Sequence, residues 1–181
     1  PAQRASLPAP RELTGTADID SDALDDWALL PTDPDWAGGL RDTWEPGEPA
    51  ARARLTEFLR DDLDDYDRAR DEPAAGVTSG LSPRLRWGEI SPYEVWHATV
   101  TRTEGASGPQ AAAAQRFLSE IGWREFAAHV LFHNPDLATV NLRREFDDFP
   151  WPRLKPSALK TWQQGRTGIA LVDAGMKELW H

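Results

Sequence analysis

The chain has 181 residues, with 20 Lys and Arg against 30 Asp and Glu, a formal net charge of −10, 40% hydrophobic residues, nine Trp and no Cys. That length suits one domain or part of a larger one. The missing Cys exclude disulfide frameworks, thiolate catalysis, Fe–S clusters and Cys-based zinc sites, and the four His do not suggest a His-rich metal site, so no metal is expected. No stretch approaches the ~20 apolar residues of a membrane span, and residues 1–10 lack the basic-then-apolar pattern of a signal peptide. A soluble, cytoplasmic protein with no membrane partner is expected.

The acidic balance argues at first against nucleic acid, because neutralising phosphates takes Lys and Arg. The charge is uneven, however: residues 1–75 hold 8 basic and 19 acidic side chains, and residues 76–181 hold 12 and 11. The acidity therefore belongs to the first half. Residues 1–43 are broken by Pro8, Pro10, Pro31, Pro34, Gly38 and Gly39 and lack a sustained 3.6-residue period, which reads as a long connector lying over something else. Leu24, Trp27, Leu29, Leu30, Trp36 and Leu40 are apolar islands suited to docking. A connector at the start implies a further domain upstream.

From Glu48 the spacing of Leu55, Phe58, Leu59, Leu63 and Tyr66 predicts one face of an amphipathic helix, with Asp61, Asp62, Asp64 and Asp65 on a solvated face. Ser82-Pro83 and Ser91-Pro92 mark two helix starts. Glu94 follows Ser91 by three, a capping box, and Val95, Trp96 and Val100 predict a buried stripe. Pro109 opens a helix through Phe117, Leu118 and Ile121 that can continue, kinked near Gly122, to Leu131; Pro135 closes it. Residues 147–156 read as a loop, Ser157 as the cap of a short helix through Trp162, and Gly165 and Gly168 as a turn. Val172, Met176, Leu179 and Trp180 predict a last helix. No segment alternates like a strand, so the fold class is all-α, an array of short helices.

The run Thr78-Ser79-Gly80-Leu81-Ser82-Pro83-Arg84-Leu85-Arg86-Trp87-Gly88-Glu89-Ile90-Ser91-Pro92 resembles the photolyase/cryptochrome family. So do Trp123-Arg124-Glu125-Phe126, Phe149-Pro150-Trp151, Trp162 to Gly168 and Val172 to Met176, five pieces in the right order across the chain. The resemblance implies an all-α FAD-binding domain preceded by an α/β antenna domain, which is absent from this chain together with its second chromophore. On this reading residues 1–43 are the interdomain connector and 44–181 the first half of the FAD-binding domain. The family continues beyond this point into further flavin-facing residues and relay tryptophans.

Function also enters through the resemblance: light-driven repair of cyclobutane pyrimidine dimers in DNA by electron transfer from reduced FAD, in a monomeric full-length enzyme. Blue-light signalling of the cryptochrome kind is the alternative, and a helical packing module without catalysis is a third. Thr78, Ser79 and Ser82 beside a helix start have the chemistry of an anion site or of ordinary caps. The resemblance makes them, with the backbone around Leu81, the holders of the FAD diphosphate, and adds Tyr66 as a second contact. Gly80 stands where relatives often carry a basic residue.

Arg124 lies in an apolar helical stretch and needs a partner; Glu120 or Glu125 could supply one. The family match makes it a flavin-phosphate contact, with Phe117 as an aromatic wall where relatives often have Trp. Glu120 and Trp123, one turn apart, can face one pocket. On their own Trp123 reads as a core residue. By resemblance Trp123 stacks on the flipped dimer, Glu120 hydrogen-bonds it and can stabilise its radical anion, and Arg70 lies at the rim of the DNA cleft. Base stacking on an aromatic side chain contributes ~1–3 kcal/mol, and photolyases belong to the base-flipping enzymes. Trp151 matches the surface end of the family's electron relay, with Trp162 a lesser candidate; the remaining tryptophans read as packing.

Overall fold

In the computed structural model, residues 10–12, 15 and 19–180 are described. Proline-marked starts become helices as expected: α4 spans Ser82–Trp87 and α5 Pro92–Arg102, each with Pro in its first turn. Proline fits there because its missing N–H would have had no intrahelical partner. Among the described residues every regular element is helical and none is a strand, which bears out the all-α reading. They divide into two units, one ending at His133 and the other beginning at Asn134. No helix is long and apolar enough to cross a membrane.

In the first unit, α1 is the short Gly38–Thr43 and α2 spans Glu48–Glu57. The predicted amphipathic helix beyond Glu48 is not a single α-helix. After α2 the chain widens into a π turn, Phe58–Asp62, tightens into a 3₁₀ turn, Leu63–Asp65, and ends in α3, Tyr66–Ala69. The apolar face survives these changes: Leu55, Phe58, Leu59, Leu63 and Tyr66 are all buried. The helix α6 runs unbroken through Gly122 from Gly108 to His133 and packs on α3 and α5.

The core centres on three aromatic rings. Phe58 and Phe117 lie 4.6 Å apart at their centroids, Tyr66 and Phe117 5.4 Å, and Phe58 and Tyr66 5.8 Å. Such pairs contribute about 0.5–1.5 kcal/mol beyond the area they bury. Leu81 before α4, Leu85 within it, Ile90 between α4 and α5, and Val95 of α5 add to the cluster.

Several local readings change. Ser91 Oγ accepts the Tyr93 N–H at 3.2 Å, but Glu94 closes no capping box; its Oε1 accepts from Arg52 Nε at 2.7 Å instead. A charged partner holds the carboxylate more strongly than a neutral amide does. Val100 is 45% exposed, and the buried stripe of α5 is Val95 with Thr99, whose hydroxyl returns to the Val95 carbonyl. The aspartates at 61–65 are not simply solvated: Asp62 pairs with Arg54, and Asp64 accepts from Gln110 and pairs with Arg102. In this chain the apolar residues Leu24, Trp27, Leu29, Leu30, Trp36 and Leu40 are exposed, which leaves the expectation that they dock neither met nor excluded.

In the second unit, α7 spans Pro156–Gln163 and α8 Ala170–Trp180. Ser157 is not the cap of α7. Lys155 holds that position without a side-chain bond, and Ser157 lies inside the helix. The end of α7 is a Schellman motif, with Arg166 N–H on the Thr161 carbonyl and Gly165 N–H on that of Trp162. Gly165 has φ +60°, and a Cβ there would meet the Asp173 carbonyl oxygen at 3.1 Å. Asp173 in turn accepts from the N–H groups of Thr167 and Gly168 and from the Thr167 hydroxyl, at 2.6–2.9 Å. These bonds hold its carboxyl below the usual carboxylate range, the Thr167 hydroxyl being the largest cause.

Candidate functional site

A cavity of about 390 Å³ opens in the first unit, lined by Tyr66, the run Thr78 to Ser82, Leu85, Phe117, Glu120, Ile121 and Arg124. Four elements build it. The long α6 contributes Phe117, Glu120, Ile121 and Arg124 at spacings of three, one and three, which fall on one helical face. The loop before α4 brings the Thr78 and Ser79 hydroxyls, α4 brings Ser82 and Leu85, and α3 brings Tyr66.

The loop is a polar cradle. Ser79 Oγ accepts the Leu81 N–H at 3.3 Å, which leaves the hydroxyl proton free to donate. The hydroxyls of Thr78 and Ser82 have no hydrogen-bond partner among the described residues. Gly80, at φ +63°, makes the bend that a residue with a Cβ adopts only under strain. With only six residues, α4 has too small a dipole to make the site alone, so hydroxyls and a guanidinium carry the affinity for an anion. Arg124 supplies the guanidinium. Its partner is neither Glu120 nor Glu125 but the Leu85 carbonyl, 3.0 Å from Nη2, and one such bond engages one of five donors.

The same cavity carries carboxylate and aromatic groups. Glu120 forms an ion pair with Arg70, whose guanidinium stands 5.4 Å from the centre of the Tyr66 ring. The Glu120 bond is the largest cause holding the Arg70 guanidinium above its usual range. Burial pushes the Tyr66 phenol upward, with Glu120 adding to the rise and Arg70 opposing it, so the phenol stays protonated at neutral pH. Phe117, 3% exposed, is both cavity wall and core.

The cavity therefore gathers Tyr66, Thr78, Ser79, Gly80, Leu81, Ser82, Phe117, Glu120 and Arg124. Trp123 is not among its lining residues: it is 62% exposed and meets Phe126 edge to face, so it is not a core residue either. Trp151 lies in the second unit, 77% exposed, with its ring 4.7 Å from that of Phe149. Trp162 is also exposed. His129 and His133, four residues apart on α6, stack at 4.5 Å, a spacing the sequence reading passed over. Among the described residues no group of three metal-ligating side chains occurs.

Sequence reasoning missed Leu85 and Ile121 as lining residues and two supporting arginines. Arg84, buried in α4, donates to the Glu45 carbonyl at 3.0 Å and to Glu89 at 2.9 Å, beside the Trp44 ring. Its Nε has no partner. Arg54 in α2 reaches the carbonyls of Thr78 and Ser79. Apolar spacing could have placed Leu85 and Ile121, but nothing local marks either arginine.

The described residues form an all-helical fold with one polar and aromatic cavity, and comparison with known proteins specifies the class. A family profile described as the FAD binding domain of DNA photolyase matches residues 117–181. The chain is 47% identical over 160 residues to a deoxyribodipyrimidine photo-lyase of Agrobacterium fabrum, which covers 88% of this chain and 33% of that protein. It is 35% identical over 145 residues to cryptochrome-1 of Arabidopsis thaliana, covering 78% and 21%. A crystal structure of a bacterial class III photolyase from Agrobacterium tumefaciens superposes with a TM-score of 0.79 at 44% identity, over 97% of this chain and 34% of that one. The chain belongs to the photolyase/cryptochrome family and carries part of its FAD-binding helical domain. It spans about a third of the length of these photolyase relatives.

Proposed function

We propose that the full-length protein containing this chain is a deoxyribodipyrimidine photolyase that repairs cyclobutane pyrimidine dimers in DNA using FAD and blue light. The observation that carries the reading is a cavity that unites unpartnered hydroxyls, a guanidinium, a carboxylate and an aromatic wall. Those residue types suit a diphosphate joined to flat rings, and the volume falls within the range of small-molecule sites, roughly 300–1,000 Å³. Thr78, Ser79, Ser82 and Arg124 would hold the diphosphate, and Tyr66 and Phe117 would bound the cofactor's apolar parts.

When bound, reduced FAD would supply the photoexcited electron that splits the cyclobutane ring, and the flavin would recover that electron afterwards. The residues of this chain bind, orient and exclude water. Glu120, already held by Arg70, would fix the Watson–Crick edge of the flipped dimer. Trp123, exposed beside that helix face, would stack on it, and Trp151 would stand at the surface end of an electron relay. The near-neutral balance of residues 76–181 leaves DNA as an acceptable partner.

Cryptochrome signalling is the second reading, favoured by the similarity to cryptochrome-1. Light-dependent loss of thymine dimers, assayed with full-length protein holding reduced flavin, separates the two. Repair supports the first reading, and bound reduced flavin without repair rejects it. An absorption spectrum of the 181-residue chain mixed with FAD tests whether this part alone holds the cofactor.

A further inference from the structure

Arg54 belongs to α2, lines no part of the cavity, and yet spends its guanidinium on the loop that does. Nε donates to the Ser79 carbonyl and Nη2 to the Thr78 carbonyl, both at 3.0 Å. The guanidinium is itself anchored, by Asp62 at 3.0 Å from Nη2 and by Glu57 at 2.8 Å from Nη1. Only 24% of its side chain is exposed. One planar group thus ties two successive carbonyls to the helix behind them.

We propose that Arg54 is a positioning residue for the anion cradle: by holding the Thr78 and Ser79 carbonyls, it sets the loop conformation that presents the Thr78, Ser79 and Ser82 hydroxyls to the cavity, and FAD affinity depends on it although it does not touch FAD. The inference rests on the FAD reading of the cavity. Carbonyl oxygens carry partial negative charge, and two of them turned towards a diphosphate would repel it. Engaged by Arg54, they instead accept hydrogen bonds from a cation outside the cavity wall. Gly80 completes the device. Its open face lies against Arg54, with Nε 3.7 Å from the place of a Cβ, and its φ of +63° turns the chain from the tethered carbonyls into α4. The loop has little else to hold it, because between α3 and α4 the only regular element is the 3₁₀ turn Pro73–Ala75.

Lysine cannot replace this arrangement. Its donors radiate from one nitrogen, whereas the guanidinium fork spreads its donors over two carbonyls and two carboxylates. The test compares wild type, Arg54→Ala and Arg54→Lys in the full-length protein, with three readouts. These are FAD dissociation constants by equilibrium dialysis, amide hydrogen exchange across residues 76–83 without FAD, and urea stability to correct for the folded fraction. We expect Arg54→Ala to weaken FAD binding by about tenfold or more, as losses of supporting contacts commonly do. Exchange at residues 78–81 should rise selectively, with Arg54→Lys intermediate in both.

If corrected FAD affinity is unchanged in Arg54→Ala, or exchange rises only across α2, the proposal is overturned. Should Arg54→Ala not fold, Asp62→Asn loosens the same anchor and must weaken FAD binding severalfold. Wild type that binds no FAD would instead overturn the cofactor reading, and the exchange data would still report whether Arg54 holds the loop.

Discussion

Arg70, the residue that closes α3, and Glu120 on α6, fifty residues apart, form an ion pair at the edge of the cavity. Their side chains keep 21% and 33% of their exposure, so the pair is partly screened and its coupling is modest. A double-mutant cycle with Arg70→Ala and Glu120→Ala, read by urea unfolding, should give about 1 kcal/mol. Glu120→Gln should leave FAD affinity nearly intact and reduce dimer affinity and repair. A parallel loss of FAD would place Glu120 with the cofactor instead.

Trp123 is the sharper probe of substrate. Because it is 62% exposed, Trp123→Ala should cost little stability, within about 0.5 kcal/mol as surface changes usually do. Affinity for dimer-containing DNA should fall by about 1–3 kcal/mol, the contribution of one stacked base. Titrations of damaged DNA and of FAD on the same variant distinguish this from general damage.

Phe117 combines wall and core, so its removal has two effects. Phe117→Ala deletes contacts to Phe58 and Tyr66 and should destabilise the first unit by about 3–5 kcal/mol. FAD affinity should fall as well. Phe117→Trp, measured by the same urea and FAD titrations, should retain far more of both.

In the second unit the turn between α7 and α8 depends on the Asp173 carboxylate. Its folded pKa is lowered by the Thr167 hydroxyl and by the Thr167 and Gly168 amides. The stabilisation is therefore fully present above the ordinary carboxylate value, about pH 4. It disappears as pH falls below that value and through the lowered folded one. The Gly168 amide resonance, followed by NMR down an acid titration, should move in that window. Asp173→Asn should remove the transition.

Much of the fold was legible in the sequence because helix starts are local: Pro83, Pro92 and Pro109 each lie in a first turn. The cavity was legible for a different reason, since the Thr78–Ser82 run and the α6 face are compact motifs. What escaped were long-range charges. Arg52 with Glu94, Arg54 with Ser79 and Arg70 with Glu120 join residues 25 to 50 positions apart, and no spacing rule links them. The π turn at Phe58–Asp62 also escaped, because apolar spacing reports which face is buried but not how many residues fill a turn.

The six-residue α4 is too short to be stable alone, yet it forms the wall behind the hydroxyl cradle. Two guanidinium contacts fasten it at successive residues: Arg124 donates to the Leu85 carbonyl, and Arg84 of α4 itself donates outward to the Glu45 carbonyl. The wall is thus fastened by guanidinium groups on carbonyl oxygens. Guanidinium ions in solution can compete for those same oxygens and screen the Arg84–Glu89 pair. Low guanidinium chloride should therefore loosen α4 and empty the cradle before the aromatic core melts, whereas urea should not separate the two events.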